Sequence, residues 1–214
     1  MAERERSSQL AVRIARGLDA LGLVFPEDAP QKLAGLSELV HDWGQRINLS
    51  GHRSPVRIAD RLVLDAAGIG SVLPHFASLA DLGAGAGFPG LPLAILFPSA
   101  QVTLVESRQR RHYFQRAAIR ELGLENANAI RGRIESAEPV PSDIALAQAV
   151  GPAAEVFAAI RPWAKAGGWL GIPATAGSQA PAVDAVLMEK HYRLPDLEAA
   201  GSDLPRLLWL VRAA

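Results

Sequence analysis

The chain predicts an α/β fold, a mostly parallel sheet preceded by a helical extension. From Ser78 onward, short apolar runs alternate with helical segments, which is the sequence form of βαβ units. Before that point, residues 7–66 carry their apolar side chains at helical spacing and show no convincing strand. A third observation fixes the centre of the fold. Asp81-Leu82-Gly83-Ala84-Gly85-Ala86-Gly87-Phe88-Pro89-Gly90 sets four glycines directly after the apolar run Ser78-Leu79-Ala80. A strand, a glycine-rich turn and a helix N-terminus in that order make a loop where a ligand can press against bare backbone.

The elements follow in order. Leu10, Ile14, Leu18 and Leu21 share one helical face, and Gly22 can stop that helix. After the break at Pro26 and Pro30, Leu33, Leu36, Val40, Trp43 and Ile47 form a second stripe, in which Trp43 is expected to pack into the core. Asn48, just past it, is a candidate C-cap. Ser54-Pro55 is a start signal for a third helix carrying Ile58, Leu62 and Asp65, with Asp65 placed to pair with Arg61 one turn away. Ser78-Leu79-Ala80 reads as the end of a buried strand, and Pro89 and Pro92 as the first turn of the next helix, where a missing N–H costs nothing. Residues 102–106 read as a strand ending in an acid, 108–122 as a helix stopped by Gly123, and 127–131 and 144–147 as strands. A helix over 151–164 and strands over 169–172 and 207–211 complete the expected sheet. The division expected is a helical extension over residues 1–70 and a sheet domain over 71–214, packed as one unit.

Composition narrows the chemistry. At 214 residues with 49% hydrophobic and 21% charged residues, the chain can bury a good core and does not read as disordered. Twenty-two basic and 22 acidic residues cancel, so nucleic-acid binding would need a local patch. There is no cysteine, which removes disulfides, thiolate nucleophiles and Cys-ligated zinc. His41, His52, His75, His112 and His191 are scattered without ligand spacing, so no metal is expected. No run approaches the roughly 18 apolar residues of a membrane span, and the charged N-terminus lacks an apolar signal segment. The expectation is a cytoplasmic monomer.

Spacing bears on the ligand of the glycine loop. Gly85-x-Gly87-x-x-Gly90 formally matches a dinucleotide fingerprint. However, Asp81 stands just before the first glycine, and Phe88-Pro89 occupies the part of the turn where a pyrophosphate needs open N–H groups. Both features favour S-adenosylmethionine (SAM), whose amino-acid end carries no phosphate. Glu106, about twenty residues on and at the end of the next strand, can accept ribose hydroxyls in either cofactor class. A nicotinamide-dependent oxidoreductase therefore stays open at this point, as does a turn kept only for packing.

The loop 81–92, the strand 102–106, Trp43-Gly44-Gln45-Arg46-Ile47-Asn48-Leu49-Ser50 and Gly132-Arg133-Ile134-Glu135 resemble the RsmG (GidB) family. The resemblance runs in order from about Leu33 to Gly168, and Gly-Phe-Pro-Gly-x-Pro is its most specific part. It implies a Rossmann-like class I SAM-dependent methyltransferase sheet and methylation of N7 of a guanine in 16S ribosomal RNA. It further implies cofactor contacts at Gly83 and Phe88 in the loop and at Ile134 and Glu135 on the adenine side, with RNA contacts at Arg110 and Arg133. Asp81, Gly85, Gly87, Glu106 and Gln148 complete the expected cofactor set. Arg110 and Arg111 open a helix on the ligand rim of the sheet, which suits RNA phosphate, whereas Arg116 and Arg120 read as a solvated face. Three family positions differ. Gln148 replaces an Arg beside the cofactor, Ile172-Pro173-Ala174-Thr175 lacks the family Lys, and Leu62 replaces a His. The loss of two cations motivates a second reading, a family member that binds cofactor or RNA without turnover.

Overall fold

The computed structural model describes residues 2–148, 151–183, 185–197 and 203–214. Helices α1 (Ala2–Ala20) and α2 (Ala29–Gly44) bury the two predicted stripes, Leu10, Ile14 and Leu18 on one and Leu33, Leu36 and Val40 on the other. Gly22, with φ +68°, ends the first helical segment in the left-handed region. The third predicted helix is longer and interrupted. It comprises α3 (Pro55–Ile58), a π-helical stretch over Ala59–Val63, and α4 (Leu64–Val72). Ser54 caps its start, the Oγ accepting the Arg57 N–H at 3.3 Å. Asp60, inside the π stretch, takes a two-pronged bond from Arg13 of α1 at 2.8 and 2.9 Å, tying the first helix to the third.

Seven strands form one sheet in the order β3-β2-β1-β4-β5-β7-β6. They are β1 (Ser78–Leu82), β2 (Gln101–Glu106), β3 (Ala127–Arg131), β4 (Ser142–Ala147), β5 (Ala164–Thr175), β6 (Leu187–Leu194) and β7 (Leu204–Arg212). The first five run parallel, while β7 pairs antiparallel with both β5 and β6. Between them lie α5 (Gly90–Leu96), α6 (Gln109–Glu121) and α7 (Ala153–Ile160). Because β1 is flanked by β2 on one side and β4 on the other, the strand order reverses there. A crevice opens at the carboxyl ends of those strands, the usual ligand position in such sheets.

Alternation along the strands builds two cores. Leu79, Ile144, Leu146, Leu208 and Leu210 face the helical extension, α5 and α6. Ala80, Leu82, Ala145, Ala147, Leu207, Trp209 and Val211 face the other way, against α7 and the fully buried Trp163. Leu33 and Leu36 of α2 and Leu93 of α5 sit in one continuous apolar cluster, so the extension and the sheet share a core.

Four expectations need correction. Ser78-Leu79-Ala80 is the beginning of β1, because the strand continues through Asp81 and Leu82. The helix over 151–164 stops at Ile160 and passes into a 3-10 turn over Arg161–Trp163, since Pro162 cannot donate to a continuing helix. Strand β5 extends on both sides of 169–172, from Ala164 to Thr175. Strand β6 was absent from the sequence reading. It is an edge strand in which Glu189, Lys190, His191 and Arg193 mask any alternation, and such charge is how exposed edges avoid further pairing.

Candidate active site

The glycine loop is built from backbone that only glycine tolerates. Gly83, Gly85 and Gly87 all have positive φ, at +74°, +58° and +82°. The loop is pinned at its start, where the Gly83 and Ala84 N–H groups donate to the Val105 carbonyl at 2.9 and 3.0 Å. Gly90 is needed for a different reason. A Cβ there would stand 2.7 Å from Asp81 Oδ2. Above Gly85, by contrast, a Cβ would meet nothing nearer than Arg111 Nη1 at 3.8 Å, so the loop keeps an open face.

Two acids organise this loop. Glu106 Oε2 accepts the Gly85 N–H at 3.0 Å, and Oε1 accepts the Arg108 N–H at 2.7 Å. The Ser107 hydroxyl reaches Oε1 at 3.5 Å. A carboxylate offers about four acceptor positions, so Glu106 retains capacity for a ribose hydroxyl. Asp81 behaves differently from the cofactor contact expected of it. Its side chain is fully buried beneath the loop, where Oδ2 accepts the Gly90 N–H at 2.7 Å and Oδ1 meets no partner. It holds the start of α5 against β1, and burial is the physical reason it cannot face a ligand directly. That burial pushes its carboxyl up to about 7, against the opposing Gly90 hydrogen bond and with help from the Glu106 charge.

Gln115, on the inward face of α6, was missed by the sequence reading. Its Nε2 donates to the Gly85 carbonyl at 2.9 Å, and the side chain is fully buried. The available signal was a polar residue on the stripe of α6 that also carries Phe114 and Ala118, both buried. Gln115→Leu leaves that carbonyl without its donor and is expected to weaken SAM binding roughly tenfold, read by calorimetry. Retention of wild-type affinity would remove Gln115 from the loop's support.

Two depressions open at the carboxyl ends of the parallel strands. One, of about 600 Å³, lies at the ends of β2 and β3 and is lined by Ser107, Arg108, Arg131, Gly132 and Arg133. The other, of about 560 Å³, lies at the ends of β4 and β5 and includes Gln148, Ile172, Ala174, Tyr192, Arg206 and Trp209. The structure thus separates Gln148 from the first depression, while Ala149 and Val150, which follow it, lie outside the described residues. Ile134 is buried in the α7-side core, its carbonyl accepting the Trp163 indole N–H at 3.2 Å, and Glu135 is exposed. Phe88 is half-buried against the helical core. Arg110 is exposed, as are Arg116 and Arg120. Arg111 leans over the loop and donates to the Asn48 carbonyl at 3.4 Å. Asn48 itself lies beyond the C-cap of α2, which is Gln45. Trp43 packs edge-on against Phe114 with centroids 5.6 Å apart, as its stripe predicted.

Asp65 does not pair with Arg61. Its Oδ1 instead accepts the Tyr192 hydroxyl at 3.0 Å and the Arg206 guanidinium at 3.2 Å, from β6 and β7. Burial raises the Asp65 carboxyl, and Arg206 and Tyr192 oppose that rise. The Tyr192 phenol is raised in turn, by burial first and then by the Asp65 charge. The pairing was illegible in the sequence because one partner lies in the unrecognised strand.

A sheet reversing at β1, an open three-glycine turn and an acid with spare acceptor capacity ending β2 define a Rossmann-like nucleotide-cofactor site. The antiparallel β7 set between β5 and β6 is the departure from a dinucleotide sheet that SAM-dependent methyltransferases carry, and the family match that follows settles the cofactor as SAM. Residues 29–179 match the family model GidB, rRNA small subunit methyltransferase G. The chain belongs to that family. The Ribosomal RNA small subunit methyltransferase G of Chromohalobacter salexigens is 35% identical over 94% of this chain and 97% of its own. The protein of the same name from Stenotrophomonas maltophilia K279a is 41% identical, over 64% of this chain and 63% of its own. Among solved structures, a SAM dependent methyltransferase from Aquifex aeolicus shares the fold, with a TM-score of 0.51 at 13% identity, over 74% of this chain and 94% of that one.

Proposed function

We propose that the protein methylates N7 of a guanine in the 16S ribosomal RNA of the small subunit. The single observation that carries the reading is the glycine loop with Glu106 at the β1 reversal, inside a chain of this family. SAM supplies an electrophilic methyl group, and guanine N7 already carries a free lone pair. No general base is needed. The protein's task is then to align N7 and the methyl at near-attack distance, where orientation supplies several kcal/mol. Gly83, Gly85, Gly87 and Phe88 shape the cofactor seat, Glu106 orients the ribose, and Ile134 and Glu135 close the adenine side. Asp81 acts on this seat through Gly90. Gln148, in the depression at the ends of β4 and β5, faces the side from which the base enters. Arg110, Arg111 and Arg133 offer guanidinium groups to RNA phosphates along the rim. N7 lies on the Hoogsteen edge, so the target guanine is read unpaired or flipped out.

A second reading, binding without turnover, is motivated by the neutral Gln148 and by Arg206, whose charge is already matched by Asp65. Expression in a strain lacking the modification separates the two. The expected result is N7-methylguanosine in small-subunit RNA by mass spectrometry. SAM binding without methyl transfer would favour the second reading, and no binding of SAM or S-adenosylhomocysteine would sink the first. Among the described residues no helix is long and apolar enough to cross a membrane, and no cluster of His and acids could hold a metal ion.

A further inference from the structure

We propose that Arg46, Arg53, Arg57 and Arg61 form a phosphate-binding strip that receives the RNA strand leading to the glycine loop, an inference resting on the RNA-methylation reading above. The chain as a whole is neutral, yet residues 45–61 hold these four arginines against a single acid, Asp60. That acid is taken by Arg13 from α1, in the two-pronged bond at 2.8 and 2.9 Å. Arg46, Arg53 and Arg57 are exposed and Arg61 is half-buried. None of the four has an acidic partner among the described residues. A local field of this kind survives overall neutrality, because charges farther away than about 10 Å are screened at ordinary ionic strength.

Three of the positions gather at His52, and the fourth, Arg46, lies two residues before Asn48 on the segment that reaches the site. His52 lies among them, and its pKa is lowered by burial first and then by Arg61 and Arg57, so both guanidinium groups are within electrostatic reach of it. The segment is held in place. The His52 N–H donates to Ser50 Oγ at 2.9 Å, and Ser54 caps α3. The Asn48 carbonyl takes the Arg111 guanidinium, whose other nitrogen stands over Gly85. The strip therefore runs from the start of α3, along the loop before it, to the rim of the cofactor seat. A row of guanidinium groups, three exposed and one half-buried and none with an acidic partner among the described residues, suits a row of phosphates. An RNA strand offers such a row beside the target base.

The test uses the full-length double variant Arg53→Glu, Arg57→Glu against unmethylated naked 16S RNA and against small subunits lacking the modification, titrated from low to moderate salt. The expected result is roughly ten- to a hundredfold weaker binding to both substrates, and a shallower salt dependence by about one unit of slope per lost phosphate contact. SAM affinity and thermal unfolding are expected to stay at wild-type values, and Arg53→Lys, Arg57→Lys to keep most of the RNA affinity. Unchanged RNA affinity and slope in the Glu variant, while the wild type methylates normally, would overturn the strip alone. A loss confined to assembled subunits, with naked RNA bound as before, would assign the surface to a ribosomal protein and overturn it too. A wild-type protein that binds SAM but neither binds nor methylates RNA would remove the functional reading, and the strip with it.

Discussion

Glu106→Ala is expected to weaken SAM binding about a hundredfold, equivalent to about 2.7 kcal/mol. Two effects act together. The variant removes the carboxylate that would accept a ribose hydroxyl, and a hydrogen bond to a charged acceptor contributes about 1.5–3 kcal/mol. It also strips the Gly85 and Arg108 N–H groups of their acceptor, at 3.0 and 2.7 Å, so the loop loses the support that sets its shape. Glu106→Gln keeps an oxygen for one of these donors but places an NH2 at the other. The graded expectation is thus Gln intermediate and Ala worst, read by calorimetry with SAM and S-adenosylhomocysteine. Equal, wild-type affinity in both variants would show that the ribose is held elsewhere.

Asp81→Asn is expected to change how stability depends on pH. An aspartate in the unfolded chain titrates near 3.8, whereas burial holds this one at about 7 in the fold. Between those values the folded protein retains a proton that the unfolded chain has released. Stability therefore falls as pH rises from about 4 to about 7, and remains lower above that, by up to about 4 kcal/mol. Asparagine has nearly the same shape, can accept the Gly90 N–H through its amide oxygen, and does not titrate. The variant should match the wild type below about pH 4 and exceed it by a margin that grows to about pH 7 and then levels off, measured by denaturant unfolding across that range. Parallel profiles would mean that Asp81 is not the group responsible. Because SAM carries a positive charge, its binding should favour the ionised form and narrow the gap between the two proteins.

What the sequence made legible was local. The glycines at 83, 85 and 87 advertise positive φ, Ser54-Pro55 marks a helix start, and the apolar stripes of α1 and α2 repeat at the helical period. Each of these signals lies within a few residues of the structure it causes. The parts that escaped are those in which distant segments decide. Asp65 sits one turn from Arg61, but the partner it takes is set by where β7 runs. Asp81 reads as a loop acid, but β1 extends through it and Gly90 closes over it, which makes it a buried brace. Gln115 shows as a polar residue on an apolar stripe, a pattern whose meaning appears only once α6 lies beside the glycine loop. Strand β6 escaped because an edge strand buries little, so selection for solubility overwrites its period-two pattern.

The bond between Asp65 and Arg206 spans 141 positions of chain, and Tyr192 reaches the same oxygen across 127. During synthesis Asp65 is made long before either partner exists. The cluster of Leu33, Leu64 and Leu79 can assemble early, but a carboxylate enclosed without its guanidinium opposes closure of that layer. The final hairpin thus acts as a latch on the order of events. Contacts of such long range slow folding, and a ribosome-bound chain halted before β7 would keep the α4 face open to chaperones and proteases until its last strand emerged.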